Sequence, residues 1–294
     1  LGGIEQAVLN LSAALTARGH VVRLGTQAEP GVDFAVAVND ARLLPADGAQ
    51  PIIWFHNEVT LWREMRRGRL GALARVRPAA VFCGTKQARR ASWLMPTGRR
   101  IVLPHGLPVA ILSEPPADRP PPHLALFTSQ AYRGLGEVIE LWRRRIATVH
   151  PTARLRAYVG AADLARYRQL AEDVASIGIN PRVAATQMPQ LLRRGRLLVA
   201  PGHASETFCL AAAEAVAMGV PVVTYGRGAL AERVAHGRTG FICRDEREMA
   251  ARILALLSDD ELWLRMQAEC LVNRADARWD RVAGLWERAF LPAG

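Results

Sequence analysis

The sequence predicts an α/β protein built from two domains in succession, and three observations carry that prediction. Short apolar runs alternate with helix-length amphipathic segments along almost the whole chain. One proline-rich stretch, "SEPPADRPPP" (113–122), breaks the rhythm, which then restarts. The length, 294 residues with 50% hydrophobic, suffices for two domains of ordinary size.

The opening segment, "LGGIEQAVLNLSAALTARGHVVRLGTQ", reads as a glycine loop, a helix and a strand. Ala7, Leu11, Ala14 and Leu15 share one helical face, Gly19 ends the helix, and Val21 to Leu24 are expected to form the strand. Further short strands are expected at Phe34 to Val38, Ile52 to Phe55, Ala80 to Cys83 and Ile101 to Leu103. The proline-rich stretch cannot supply a central strand or a long helix, so it reads as a stiff connector. It divides the chain into a first domain (1–112), a linker (113–122) and a second domain (123–275), with a closing segment (276–294).

In the second domain the expected order is a strand at Leu124 to Thr128, a helix at Leu135 to Val149 and a strand at Leu155 to Val159. A helix through Tyr167 to Ser176, a strand at Val183 and one at Leu197 to Val199 follow. "SETFCLAAAEAVAMGVPVV" (205–223) then reads as loop, helix and buried strand, with Ala211 to Ala213 favouring the helix and Gly219 ending it. Glu206 falls in the loop and Glu214 about one turn inside the helix. Helical patterns at Arg247 to Leu257, Glu261 to Cys270 and around Trp279 to Phe290 close the chain.

Composition narrows the function. No apolar run is long enough to span a membrane, so the chain reads as soluble, and its scattered cysteines fit a reducing cytoplasm. The four cysteines (Cys83, Cys209, Cys243, Cys270) show no CxxC or Cys/His spacing, which argues against a disulfide framework and a zinc site. The net charge of +11 is concentrated in residues 61–100, where Arg63, Arg66, Arg67, Arg69 and further arginines face one acid, Glu64. That segment suits peripheral docking on anionic membrane or attraction of an acidic acceptor. Biased composition is the alternative, since Lys86 is the only lysine. No nucleic-acid-binding signature accompanies the charge.

The segment 205–223 resembles the E-x7-E region of retaining GT-B glycosyltransferases of group 1 (family four). In matching order, "LGGIEQAVLNLSAALTARGHVV" is similar to that family's glycine loop and first helix, and "IVLPHGLP" to the end of its first domain. "RGLGEVIELW" resembles the start of the second domain's first helix, while "GALAERVAHGRTGFIC" and "DARWDRVAGLWERAF" match the segments that close the fold. The resemblance implies a GT-B fold: two Rossmann-like α/β domains facing across a cleft, with the last helix crossing back to the first. It implies transfer of a sugar from a nucleoside diphosphate sugar to an acceptor hydroxyl, with retention and without a metal or other cofactor. The donor diphosphate would help to deprotonate the acceptor. The acceptor, whether glycan, lipid or small molecule, is unknown. A GT-B nucleotide-sugar epimerase or phosphorylase, or a non-catalytic binding protein, is the alternative.

The resemblance assigns Glu206 to the transferred sugar and Glu214 to the ribose. Amides near Thr207, Phe208, Cys209 and Leu210, and near Gly2 and Gly3, suit pyrophosphate, because helix amino termini carry unpaired N–H groups. Without that context Glu206 reads equally as a helix cap and Glu214 as a surface carboxylate beside an arginine. His56 stands where the family often has a histidine at the donor sugar or acceptor. His105 replaces a common Asn, and its neighbour Gly106 is the donor-side assignment. Arg133 takes the position of the family's diphosphate-binding Lys, but Thr128 or Ser129 stands where its Arg would be. Arg182 or Arg227 would have to compensate. The resemblance also implies a strand ahead of the glycine loop, which this sequence is expected to lack.

Overall fold

The computed structural model describes residues 2–26, 31–45 and 48–291. The chain divides into two compact units. Unit 1 comprises Leu1–Gly106, Ser205–Phe208 and Trp279–Gly294; unit 2 comprises Leu107–Ala204 and Cys209–Arg278.

Unit 1 begins with helix α1 (Gly3–Ala17). Strands β1 (Phe34–Val38) and β2 (Gln50–Phe55), helices α2 (Leu61–Arg66) and α3 (Leu70–Val76), strand β3 (Ala79–Phe82), helix α4 (Thr85–Arg90) and strand β4 (Arg100–Val102) follow. The four strands form one parallel sheet in sequence order. Side chains alternate across it. Ala35, Ala37, Ile53, Phe55, Ala80 and Phe82 point into one core cluster.

The segment Val21 to Leu24, expected as a strand, is irregular. Val21 is 85% exposed and Leu24 57%. An apolar run becomes a strand only where a neighbour takes up its N–H and C=O groups, and β1 has β2 as its one partner among the described residues.

Unit 2 runs through α5 (Val109–Ser113), β5 (Leu124–Phe127), α6 (Leu135–Leu141), β6 (Arg154–Val159), α7 (Ala161–Leu170), β7 (Ile177–Pro181), α8 (Met188–Arg194) and β8 (Leu197–Val199). It continues with α9 (Leu210–Ala217), β9 (Val222–Thr224), α10 (Leu230–Arg233), β10 (Gly240–Ile242), α11 (Glu246–Ser258) and α12 (Asp260–Leu271). Its sheet is parallel, in the order β10-β9-β8-β5-β6-β7. Helix α13 (Trp279–Phe290) belongs to unit 1 and packs on α1.

Four expectations shift. The strand expected at Val183 is β7, ending at Pro181, so Val183 lies in the loop beyond it. The helix expected through Tyr167 to Ser176 starts earlier, at Ala161, and stops at Leu170. The long helix after Leu135 changes to a turn of π-helix at Trp142–Ile146. The division between units falls between Gly106 and Leu107 rather than at 113–122. The proline-rich stretch is held within unit 2: Gln267 Nε2 donates to Ala117 O (2.6 Å), and Arg274 donates to Glu114 O (2.5 Å) and Ile111 O (2.7 Å).

Candidate functional site

In an open parallel sheet, ligands collect beyond the carboxyl ends of strands, above all where the strand order reverses. Unit 2 reverses between β5 and β8. The loop after β5 carries a short 3-10 turn, Ala131–Arg133, then Gly134 in the left-handed region (φ +109°). A Cβ on Gly134 would lie 2.8 Å from Pro201 Cβ, so glycine lets the loops after β5 and β8 pack together. Arg133 is therefore held at the reversal point, partly buried, with its guanidinium 5.6 Å from the Tyr132 ring. Tyr132 meets His203 edge-on at 5.6 Å, a neighbour that sequence reasoning missed.

The helix after β8 is α9, whose N-cap, Cys209, adopts φ 62°, ψ 72°. A left-handed non-glycine residue is uncommon and marks a backbone held by its surroundings. Leu210 is the first helical residue, so its amide and the next ones are the helix's unpaired donors. Glu214 lies one turn in, partly buried, and burial pushes its carboxyl up to about 7. Thr128 Oγ1 is buried without a hydrogen-bond partner among the described residues. Arg227 is engaged by Glu137 at 2.7 and 2.9 Å and lies over Tyr225, while Arg182 is exposed.

The corresponding strand ends of unit 1 gather aromatic and sulfur chemistry. His56 follows β2 and is 5% exposed. Its main chain is clamped: Asn39 Oδ1 accepts from His56 N (2.8 Å) and Asn57 N (3.1 Å), and Thr207 Oγ1 donates to His56 O (2.6 Å). Arg69 Nη1 in turn donates to Asn39 O at 2.9 Å. The His56 ring lies 4.2 Å from Trp54 and 4.8 Å from His105, and burial lowers its pKa to about 4, so it is neutral at pH 7. His105 stacks on Phe208 at 4.7 Å. Glu206 is buried in the same unit.

Gly106 has a packing reason for being glycine, since an added Cβ would meet the Trp279 ring at 2.7 Å. Gly2 is the N-cap of α1 and Gly3 its first residue; Glu5 sits in that first turn, its carboxylate 2.6 Å from the position of a Gly2 Cβ. An acid there competes with phosphate for the helix amides.

Cysteine and histidine are not clustered along the sequence, yet Cys83 Sγ lies 3.0 Å from His105 Nε2, and both join His56. Asn39, Cys83 and Gln87 were all missed as site residues. Gln87 accepts from Cys83 N and donates to Phe55 O and Asn57 O, fastening the ends of β2 and β3. The signal for Asn39 and Cys83 was their place at the carboxyl end of an apolar run.

Residues 123–259 match the model of the family described as Glycosyl transferases group 1. A D-inositol 3-phosphate glycosyltransferase of Streptomyces scabiei is 32% identical over 142 residues, which are 48% of this chain and 29% of that protein. The chain thus spans less than a third of the length of that relative. Among solved structures, a glycosyltransferase from Rickettsia africae superposes with a TM-score of 0.77 at 11% identity, covering 99% of this chain and 96% of that one. HepE of Anabaena, solved in complex with UDP and glucose, superposes with a TM-score of 0.66 at 16% identity, covering 82% and 71%. These likenesses show the GT-B fold, with its two Rossmann-like α/β units.

Proposed function

From the match of residues 123–259 to the model of the glycosyl transferases group 1 family, we propose that the chain is a retaining glycosyltransferase using a nucleoside diphosphate sugar. The observation that carries this reading is that Arg133 and α9, which bears Glu214, follow the two neighbouring strands, β5 and β8, at which the unit 2 sheet reverses. A cation and a row of free amides suit a diphosphate, and a carboxyl group one turn away suits ribose hydroxyls. The UDP and glucose held by the Anabaena neighbour support a uridine donor. Glu206 takes the transferred sugar, and His56, neutral at pH 7, accepts or donates a hydrogen bond to a sugar hydroxyl. Leaving-group charge falls on Arg133 and the helix amides, so the transfer needs no metal.

Residues 61–100 support docking on an anionic membrane, which would favour a lipid-linked acceptor. Their single acid, Glu64, is buried at 2% exposure, so the surface of this segment is cationic. Trp62 and Trp93 are exposed beside that charge, with Arg66 over Trp62 at 4.4 Å. Among the described residues no helix is long and apolar enough to cross a membrane.

A second reading, nucleotide binding without turnover, is favoured by one observation. A hydroxyl residue, Thr128 or Ser129, stands at the expected second-cation position, and Arg227 is already tied to Glu137. The test is thermal denaturation with a panel of nucleoside diphosphate sugars, followed by donor hydrolysis and transfer assays. A donor at 100 times its Kd adds about 2.7 kcal/mol, several degrees in a chain of this size. A shift with one donor, diminished in Glu214→Ala, and transfer lost in Glu206→Gln support the transferase. A shift without transfer to any acceptor or water selects the binding protein, and no shift with any donor removes both readings.

A further inference from the structure

Three donors of the kind that transition metals take converge at the carboxyl end of the unit 1 sheet. His56 follows β2, Cys83 follows β3, and His105 lies beyond β4. One ligand atom from each lies within 4.8 Å of the other two, and all three side chains are buried. Both ring nitrogens of His56 are buried without a hydrogen-bond partner among the described residues. Buried polar groups are nearly always satisfied, so an imidazole with neither nitrogen engaged points to an absent ligand.

We propose that His56, Cys83 and His105 form a binding site for a single thiophilic cation, zinc(II) by preference. The Cys83 thiolate and one nitrogen of each imidazole are the donors. One sulfur and two nitrogens suit zinc, whereas magnesium and calcium take oxygen. With Zn–N near 2.0 Å and Zn–S near 2.3 Å, tetrahedral donors stand about 3.3–3.6 Å apart. The Cys83–His105 separation of 3.0 Å is already on that scale. Closing the longest separation takes about 1 Å of side-chain movement to reach tetrahedral spacing.

The backbone is fixed for the purpose. Asn39 and Thr207 hold the main chain of His56, and Gln87 holds the amide of Cys83. On binding, the Zn–S bond forms as the thiol proton passes to solvent, and no electron is transferred. Occupancy takes His56 out of reach of a sugar, so zinc would silence a transferase rather than serve it. The site itself does not rest on the transferase reading, since its donors are named by geometry alone.

The experiment is a cobalt(II) titration of the full chain under reducing, copper-free conditions, read by absorption and then by displacement with zinc. The expected result is one cobalt per chain, with a thiolate-to-cobalt charge-transfer band and the intense visible bands of tetrahedral cobalt. Cys83→Ser removes the charge-transfer band and weakens binding by about a hundredfold or more. Cys243→Ser, which alters a buried thiol of unit 2, leaves both unchanged. Absence of the band in folded wild-type protein, or its persistence in Cys83→Ser, overturns the proposal. Where Cys83→Ser does not fold, alkylation mapping of the wild type decides: one equivalent of zinc shields Cys83 selectively among the four cysteines. Equal shielding of all four, or of none, overturns it.

Discussion

Unit 2 buries its sheet between two apolar clusters, whereas unit 1 completes its second face with polar-edged rings and charge. In unit 2, Leu155, Ala157, Leu197 and Val199 enter one cluster, and Leu126, Leu198 and Val222 enter the other. In unit 1, the second face presents Trp54, 5.2 Å from Trp286 of α13 and 4.2 Å from His56. The helix that brings Trp286 is tied to α1 by ions: Arg18 donates to both Glu287 oxygens (2.9 and 2.6 Å) and to Asp280 (2.9 Å), and His20 meets Glu287 at 2.9 Å. Apolar burial is non-directional and tolerates many sequences. Rings with polar edges and paired charges require particular partners, and the same requirement makes them available for chemistry.

The largest expected effect tests the apolar core of unit 2. Trp142 is 0% exposed and donates to Ser176 Oγ at 3.0 Å. Trp142→Ala should cost about 3–5 kcal/mol in urea denaturation, by cavity formation and loss of that bond. A loss below about 1 kcal/mol would show that this cluster relaxes around the void.

Next comes the one carboxyl that burial perturbs strongly in unit 2. Glu214 has its pKa raised from 4.5 to about 7, so the folded state holds the proton more tightly than the unfolded chain. Its contribution is full below pH 4.5 and is lost as the pH rises through 7. Glu214→Gln should therefore flatten the pH dependence and raise stability at pH 8, by at most on the order of 3 kcal/mol. An unchanged slope between pH 5 and pH 8 would mean that the carboxyl is well solvated.

Gly106→Ala sharpens the distinction between packing and ligand roles. The added methyl would press on Trp279 at 2.7 Å, and overpacking of this kind costs about 1–3 kcal/mol. Nucleotide binding measured on the folded variant should persist. Lost binding with unchanged melting would return Gly106 to the donor site.

The smallest effect concerns the exposed ion cluster. Its partners pull the Glu287 carboxyl down to about 2, so the stabilisation is present above pH 4.5 and lost as the pH falls through 2. Glu287→Ala should speed hydrogen exchange in α1 and α13 while leaving the unit 2 sheet unchanged, and high salt should reduce the difference. Equal acceleration in both units would break the comparison.

Periodicity and punctuation determined much of this molecule from sequence. The runs Phe34 to Val38 and Leu197 to Val199 are strands with those bounds, and the alanine-rich run before Gly219 is a helix. Such elements are legible because parallel strands packed on both faces are apolar throughout, as at Leu197 to Val199, and helices need end signals. Val21 to Leu24 satisfied the same local rule and did not become a strand, because pairing is decided by a neighbour and not by the run itself. The position of Glu214 one turn into α9, and of Arg133 after β5, also followed from local spacing. Only the tertiary structure could bring Cys83 between His56 and His105, or press Trp279 against Gly106. Those contacts join residues distant in the chain through sheet register and the return of the last helix, and no local spacing encodes them.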